Sequence, residues 1–428
     1  MTQSVVVVGG GLAGLQAAAR LADAGFEVRL HERESTVGGR VRTERDGEFQ
    51  FDRGFQVLLT AYPAVEDALD LSALDLHRFP AGATVCRPNH RSTLADPLRH
   101  PGAAIETAFN RDLTIGDKLR VLSLRRDLVG VPYGSLFEGP DATIRESLAD
   151  RGFSERFVEN FAAPFFGGIA LDRGLETSKR VFESTFAMLA KGDVAVPARG
   201  MGAIPAQLAD RARDAGATIH LDSTVERVAP ADGTVTIAVD GTEAAADAVV
   251  VAADPPTSAS LTGVGSIPTE GKACVTQYVS VAAGSPIAEQ ETILLNAADP
   301  VPNQVAPVGA VAPEYGPDDR VLLSATTLGA LSVDDRDLFE RTREALSSWF
   351  PEAALGSLRL ERTVRCPFAQ FEQPPGVHES LPDVRAPEGP VYLAGDYTRG
   401  SSIQGAIESG TAAARAVVAD RRPSRERA

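Results

Sequence analysis

Lysine is almost missing from this chain. Lys118, Lys179, Lys191 and Lys272 stand against 38 arginines. Acidic residues outnumber basic ones, 58 to 42, for a formal net charge of −16. That balance disfavours nucleic acid and anionic membrane surfaces as partners. Acid excess with few lysines suits a salt-rich cytoplasm, where screened carboxylates repel one another less. A GC-rich coding bias toward arginine and alanine accounts for it equally well. Cysteine is scarce too, with only Cys86, Cys274 and Cys366, widely spaced. An odd, sparse count argues against a disulfide framework or a zinc site and is compatible with a reducing cytosol. No apolar run reaches the roughly 18 residues of a membrane span. No basic leader precedes the first apolar run, so no signal or transit peptide and a cytoplasmic location are expected. The 428 residues, 43% hydrophobic and 23% charged, have an ordinary globular composition and length enough for two domains.

Glycine is placed with purpose at the N-terminus. The apolar run at residues 4–8 leads straight into Gly9-Gly10-Gly11-Leu12-Ala13-Gly14, then a helix-forming stretch over 15–24, Gly25 as a stop, and a second apolar run ending at His31 and Glu32. Strand, glycine turn, helix, strand and acid in this order make GxGxxG credible as a dinucleotide site. Gly9 permits the tight turn, Gly11 lets backbone approach a pyrophosphate, and Gly14 lets the helix pack close to the strand. Leu12 and Ala13 open that helix, whose unpaired N–H groups and positive dipole end face the phosphates. Glu32 is placed for ribose hydroxyls and disfavours a 2′-phosphate, so NADP is the least suited nucleotide. The motif alone leaves FAD and NAD open, since both carry adenosine diphosphate.

Two further blocks have ligand-facing character. Val37-Gly38-Gly39-Arg40 forms a loop that can lie on phosphate or ribitol with a guanidinium as counter-charge, ahead of Gly54-Phe55-Gln56. Near the other end, the strand at 391–394 runs into Gly395-Asp396 and a helix from Ile403 to about 419, capped by Ser401 or Ser402. Asp396 can bind a polyol, and the helix N-terminus can stabilise a reduced ring. Between these blocks, residues 72–195 read as mainly helical, with helices over 115–128, 144–150 and 154–166. Phe153, Phe157, Phe161 and Phe165 recur at spacing four, which fits a packed core face and also the wall of a lipophilic tunnel or a membrane-dipping surface. Nucleotide-domain patterning returns near 196, with a helix over 204–215 and strands over 218–221, 224–228, 235–239 and 246–252, the hairpin turning at Asp232-Gly233 and the next turn at Asp240-Gly241. Residues 257–385 read as strands over 273–281, 292–295 and 320–325 with one helix over 335–350. The tail 421–428 is expected to fray.

In these segments the chain resembles the FAD-dependent amine-oxidase-like flavoproteins, which include amine oxidases, protoporphyrinogen oxidase and the carotenoid desaturases. The resemblance covers about 40% of the chain. Tyr392 to Thr398 with Gly405-Ala406 and Ser409-Gly410, and Gly54 to Pro63, are most similar to the plant-type phytoene and zeta-carotene desaturases. It implies an α/β fold: a Rossmann-like, three-layer FAD-binding domain with a mostly parallel sheet (1–71, 196–256 and 386–428) and a mixed α+β substrate domain with a helical cap (72–195 and 257–385). Gly9, Gly11 and Gly14 would lie at the pyrophosphate, Glu32 with Arg33 at the adenosine ribose, and Gly39 with Arg40 toward the ribityl phosphate. Val225 would meet the adenine through its backbone, Gly395 and Asp396 the ribityl chain. Gly54, Phe55 and Gln56 would edge the isoalloxazine, with Ile403 and Gln404 over its pyrimidine end.

Amine oxidases carry a lysine on the strand matching 273–281, whereas here the nearest is Lys272. Where they place an aromatic ahead of the last helix, this chain has Ser402. The expected activity is therefore hydride abstraction from a C–H bond, desaturating a lipophilic isoprenoid or polyene, with the chemistry supplied by FAD. A flavin amine or amino-acid oxidase, a protoporphyrinogen oxidase-like enzyme and a non-catalytic flavin-binding chaperone or regulator are the rivals. No metal is called for, and the electron acceptor is unspecified between oxygen, quinone and another carrier. Peripheral membrane contact is compatible with the phenylalanine stripe. No general base stands out, because His77, His90, His100, His220 and His378 sit in contexts typical of surface residues.

Overall fold

The computed structural model describes residues 2–95, 112–231 and 233–421; His100, Asp232 and the tail beyond 421 lie outside the described residues. The valine run Ser4–Val8 is the centre of a five-stranded parallel sheet. On one side of it lie Glu27–His31 and then Thr218–His220; on the other lie Ala248–Val251 and then Val391–Leu393. A strand covered on both faces reads as a continuous apolar run, and both faces here are covered. One carries the helices Leu12–Asp23, Ala203–Asp214 and Ile403–Arg421. The other carries the antiparallel meander Val225–Ala231, Thr234–Val239 and Thr242–Ala246. Val6, Val8, Val249 and Val251 pack toward the meander, Val5, Val7, Ala248 and Val250 toward the helices. This three-layer α/β arrangement agrees with the fold expected from sequence.

The ends of the chain meet in this unit. Helix Leu12–Asp23 packs on Ile403–Arg421 so closely that a Cβ on Gly410 would stand 2.2 Å from the Ala13 carbonyl oxygen. Small residues at the crossing let the two backbones touch, and Gln16 Nε2 donates to Thr411 Oγ1 at 2.9 Å beside it.

A second, seven-stranded mixed sheet carries the other half of the molecule. Its order is Arg359–Phe371, Gly271–Ala282, Arg320–Leu328, Gln304–Ala306, Ile293–Asn296, Gly82–Arg87 and His90–Ala95. Four of these strands are not legible in the sequence: 82–87 and 90–95 lie in the stretch expected to be mainly helical, and 304–306 and 359–371 lie where no element is expected. Helices Ile115–Val129, Ile144–Asp150 and Lys179–Lys191 cap this half. The first two open on reciprocal caps, Thr114 with Asp117 and Thr143 with Glu146, each satisfying two otherwise orphaned N–H groups. The helix expected over 154–166 is instead broken in character: α at Glu155–Phe157, a π turn at Val158–Ala162, and α again at Ala163–Ile169. The wider π turn shifts the phase of the phenylalanine stripe.

Candidate active site

The first glycine turn has the stereochemistry that its spacing implies. Gly9 sits at φ +105, and a Cβ there would lie 2.7 Å from the Ala252 carbonyl oxygen. A Cβ on Gly14 would lie 2.0 Å from the Gly9 carbonyl oxygen, so this glycine serves helix-to-strand contact and does not face the cavity. Gly11 is different, because a Cβ there would meet no atom within 4 Å. It precedes a helix whose N-terminus no side chain caps, leaving N–H donors open toward a space that an anion fits.

Around this turn the sequence gathers its charges. Glu32 is buried, and its carboxylate accepts from Gly10 N at 2.6 Å and Glu34 N at 2.9 Å. Two backbone donors fix its orientation at the end of the strand Glu27–His31. Arg33 is more exposed and lies 3.4 Å from Asp254. The second glycine loop docks on the first: Gly38 N donates to the Gly10 carbonyl at 2.8 Å, and a Cβ on Gly39 would be 3.6 Å from Gly11 Cα. Arg40 then reaches across 356 positions of chain to Asp396 at 2.7 Å. Burial works against its charge, but Asp396 outweighs that and raises the guanidinium above its usual range. Ser401 Oγ donates to the other Asp396 oxygen at 2.9 Å. Val225, at the start of the meander, closes the wall near Ser223 and Thr224.

The third block forms the far side. Gly54 takes φ +89, and a Cβ on it would sit 3.6 Å from Cys366 Sγ and 3.7 Å from Thr276 Oγ1. Gln56 Nε2 donates to the Arg40 carbonyl at 2.8 Å, while its buried Oε1 has no partner among the described residues. Phe55 packs edge-on against Phe79 at 6.1 Å. Opposite, Ser402 Oγ caps the last helix by accepting from Gly405 N at 2.9 Å. Ile403 and Gln404 follow on the cavity wall. The Gln404 amide is spent inside the protein, on Ala64 N at 2.8 Å and Glu408 at 3.1 Å. Gly395 N donates to Ser409 Oγ at 2.9 Å, which ties the strand end to that helix.

One cavity of about 1770 Å³ joins these walls. Of the residues expected at the cofactor, all but Gly14 line it. Its volume exceeds the roughly 300–1,000 Å³ of a pocket for one drug-sized ligand, and its far end is a chamber of another character. Phe157, Phe161, Phe165, Phe166, Phe182 and Phe186 face it. Phe161 and Phe165 stack at 5.2 Å, and Phe166 meets Phe182 edge-on at 4.6 Å. The stripe thus divides its labour: Phe153 packs into the core at 7% exposure, and the later rings form cavity wall. Tyr62 and Tyr133 cross edge-on at 5.9 Å on the same wall; burial pushes the Tyr62 hydroxyl up to about 12, keeping it neutral.

His378 corrects the sequence reading. It is no surface residue: it lines the cavity beside Phe137, at 4.9 Å between rings, and both buried ring nitrogens lack a hydrogen-bond partner among the described residues. Burial lowers its pKa, Arg180 adding to the effect while Asp141 and Glu379 oppose it. A neutral imidazole with unspent nitrogens can hold or pass a proton. Its short helix, Val377–Ser380, gives no local signal of this. Lys272, by contrast, is committed to Asp172 at 3.4 Å and Thr177 at 3.1 Å, away from the cavity.

A parallel sheet whose glycine turn, oriented acid and distant Arg–Asp pair converge on one two-compartment cavity defines a dinucleotide-binding oxidoreductase. The residues fit FAD: open space at Gly11, an uncapped helix start, the Asp396 carboxylate on the cavity wall and the unpartnered Gln56 oxygen. A profile of the flavin containing amine oxidoreductases matches residues 12–418, and the chain belongs to that family. It is an FAD-dependent oxidoreductase, which sets aside a purely flavin-holding role. It is similar to a phytoene dehydrogenase of Streptomyces griseus, 31% identical over 60% of this chain and 56% of that protein; this match spans little more than half of that relative. It is also similar to a chloroplastic/chromoplastic 15-cis-phytoene desaturase of an Oncidium hybrid cultivar, 26% identical over 97% of this chain and 78% of that one. Among solved structures, putrescine oxidase bound to putrescine superposes with a TM-score of 0.71 at 16% identity, covering 98% of this chain and 99% of that one. An oxidoreductase from Methanosarcina mazei gives 0.70 at 20%, covering 95% and 99%. At those identities the structures speak for the fold alone. Among the described residues no helix is long and apolar enough to cross a membrane.

Proposed function

We propose that this chain desaturates a lipophilic isoprenoid or polyene by removing hydride from a C–H bond. The observation that carries the reading is the continuity of the cofactor cavity with the phenylalanine chamber. An apolar chain laid there contacts mainly rings, which is where burial of apolar surface is most favourable. The names of the two similar carotenoid enzymes support the same substrate class. When bound, FAD supplies the hydride acceptor. The protein's own part is placement and exclusion of water: Phe161, Phe165 and Phe186 hold the chain, and Gly54 admits close approach. The first turn of the helix Ile403–Arg421 lies on the wall, where its partial positive charge favours a developing anion. His378 is the group available to take the proton that leaves the neighbouring carbon.

Amine oxidation has less support. The carboxylates beside the chamber, Glu379 and Glu408, are paired with Arg180 at 2.5 Å and Arg399 at 3.5 Å. Neither is left to receive an ammonium, and Ser402 is engaged as a helix cap. A substrate of this kind arrives from lipid. Ile115 and Leu119 are exposed at 78% and 63%, one turn apart on Ile115–Val129, whose Val121, Leu122 and Leu124 line the chamber. An outward apolar face on the helix that walls the chamber supports docking on an uncharged lipid surface. Anaerobic mixing with an acyclic polyene dispersed in zwitterionic vesicles, and with a panel of amines, tests the function. Bleaching of the flavin absorbance by the polyene supports it; bleaching by amines alone overturns it.

A further inference from the structure

Two of the three cysteines, 92 positions apart, are brought face to face. Cys274 lies on the strand Gly271–Ala282 and Cys366 on the edge strand Arg359–Phe371, directly opposite each other in antiparallel register. Residues so paired have Cα atoms about 4.5–5.5 Å apart, inside the 4.4–6.8 Å window that a disulfide requires. Both are free thiols, and both line the active-site cavity. Cys366 Sγ contacts the Arg53 carbonyl at 3.6 Å and is the atom nearest to where a Cβ on Gly54 would stand. Sequence spacing gave no reason to pair them.

We propose that Cys274 and Cys366 form a peroxide-sensitive redox dithiol on the cavity wall, cycling between two thiols and a cross-strand disulfide. The two sulfurs differ in character. The hydrogen bond from Cys274, aided by the charge of Arg53, lowers Cys366, while that same bond and burial raise Cys274. Cys366 is thus the attacking thiolate and Cys274 the resolving thiol. With hydrogen peroxide as oxidant, the Cys366 sulfur attacks one peroxide oxygen, the O–O bond breaks, and protonated products are Cys366 sulfenic acid and water. The Cys274 sulfur then displaces the sulfenic oxygen, forming the S–S bond and a second water. Both sulfurs are oxidised by one electron each and both peroxide oxygens are reduced to water. Closing the bridge clamps the edge strand and removes the thiols from the wall beside Gly54, the position read above as flavin edge. That location rests on the proposed cofactor placement; the thiol chemistry does not.

Cys86 is the internal control. It is fully buried, does not line the cavity, and burial pushes its thiol up to about 12. Purified protein treated with stoichiometric hydrogen peroxide is denatured with alkylating agent and its mass and peptides are measured, with flavin absorbance recorded in parallel. The expected result is loss of two of the three titratable thiols, a mass below that of the fully alkylated reduced protein by two alkyl adducts and two hydrogen atoms, and a crosslink joining the peptides of Cys274 and Cys366 that dithiothreitol reverses. In Cys274→Ser, Cys366 is expected to stop at the sulfenic acid and to be captured by dimedone. Retention of all three thiols, a crosslink through Cys86, or wild-type Cys366 carried to sulfinic acid without a crosslink overturns the proposal. Absent flavin with an intact crosslink would instead count against the cofactor placement.

Discussion

Gly11→Leu isolates the phosphate-binding role of the glycine turn from its folding role. Gly11 has φ −75 and ψ 178, an extended backbone that any residue adopts, and a Cβ there touches nothing within 4 Å. The variant should fold. Its side chain, however, enters the space in front of the helix Leu12–Asp23, where a diphosphate would accept from backbone N–H groups. Hydrogen bonds to a charged group contribute about 1.5–3 kcal/mol each, so losing two costs about 3–6 kcal/mol. That is roughly two to four orders of magnitude in affinity. The assay is flavin absorbance per mole of purified protein, followed by reconstitution with added FAD and by thermal melting of both apoproteins. The expected result is a colourless protein, not restored by micromolar FAD, whose melting matches wild-type apoprotein. Wild-type flavin content in Gly11→Leu would refute the placement of the diphosphate, and an unfolded variant would refute the claim that Gly11 is free of packing duty.

Other positions give different signatures. Gly410→Val drives a branched side chain into the Ala13 carbonyl, 2.2 Å from the first added carbon; overpacking of this kind costs about 1–3 kcal/mol or more, read as a lower denaturant midpoint. Arg40→Ala strands the buried Asp396 carboxylate and is expected to cost about 3 kcal/mol, the low end for a broken buried pair because Arg40 keeps a third of its side chain exposed, together with loss of flavin. Phe165→Asp places an unpaired charge in the chamber, so the polyene should no longer bleach the flavin while flavin content holds. Leu119→Asp, on the exposed face of Ile115–Val129, should reduce cosedimentation with zwitterionic vesicles and leave flavin binding unchanged. His31 and His378 are both lowered below the ordinary 6.5, chiefly by burial. The unfolded chain then binds protons more readily, so their contribution to stability is complete above about pH 6.5 and declines as the pH falls below it. Denaturation midpoints across that interval should show the slope, and His378→Gln should flatten part of it.

The cofactor half was legible because its constraints are local. Gly9, Gly14 and Gly38 are forced by backbone contacts within a few residues or by one neighbouring strand, and such demands leave a mark in the sequence. The substrate half hides its constraints in long-range packing. Strand Arg359–Phe371 is an edge strand, and its alternation is masked by Arg362 and Arg365, which reach Glu44 at 2.7 Å and Asp335 at 2.6 Å; charged side chains are a common guard on such edges. The hairpin of Gly82–Arg87 and His90–Ala95 turns through Asn89 at φ +58, a subtle signal beside Pro88. His378 became a site residue only through burial against Phe137 and Arg180, distant in sequence. The phenylalanine stripe is visible in the sequence, but not the π turn at Val158–Ala162 that interrupts its helix.

A crystal structure of the purified protein with FAD and an acyclic polyene tests the two-compartment cavity directly. The expected density places the diphosphate against Gly11 and the helix Leu12–Asp23, the ribityl chain at Asp396, the ring beside Gly54, and the polyene among Phe161, Phe165 and Phe186. A flavin in another orientation, or a phenylalanine chamber closed to the polyene at saturating concentration, would contradict it.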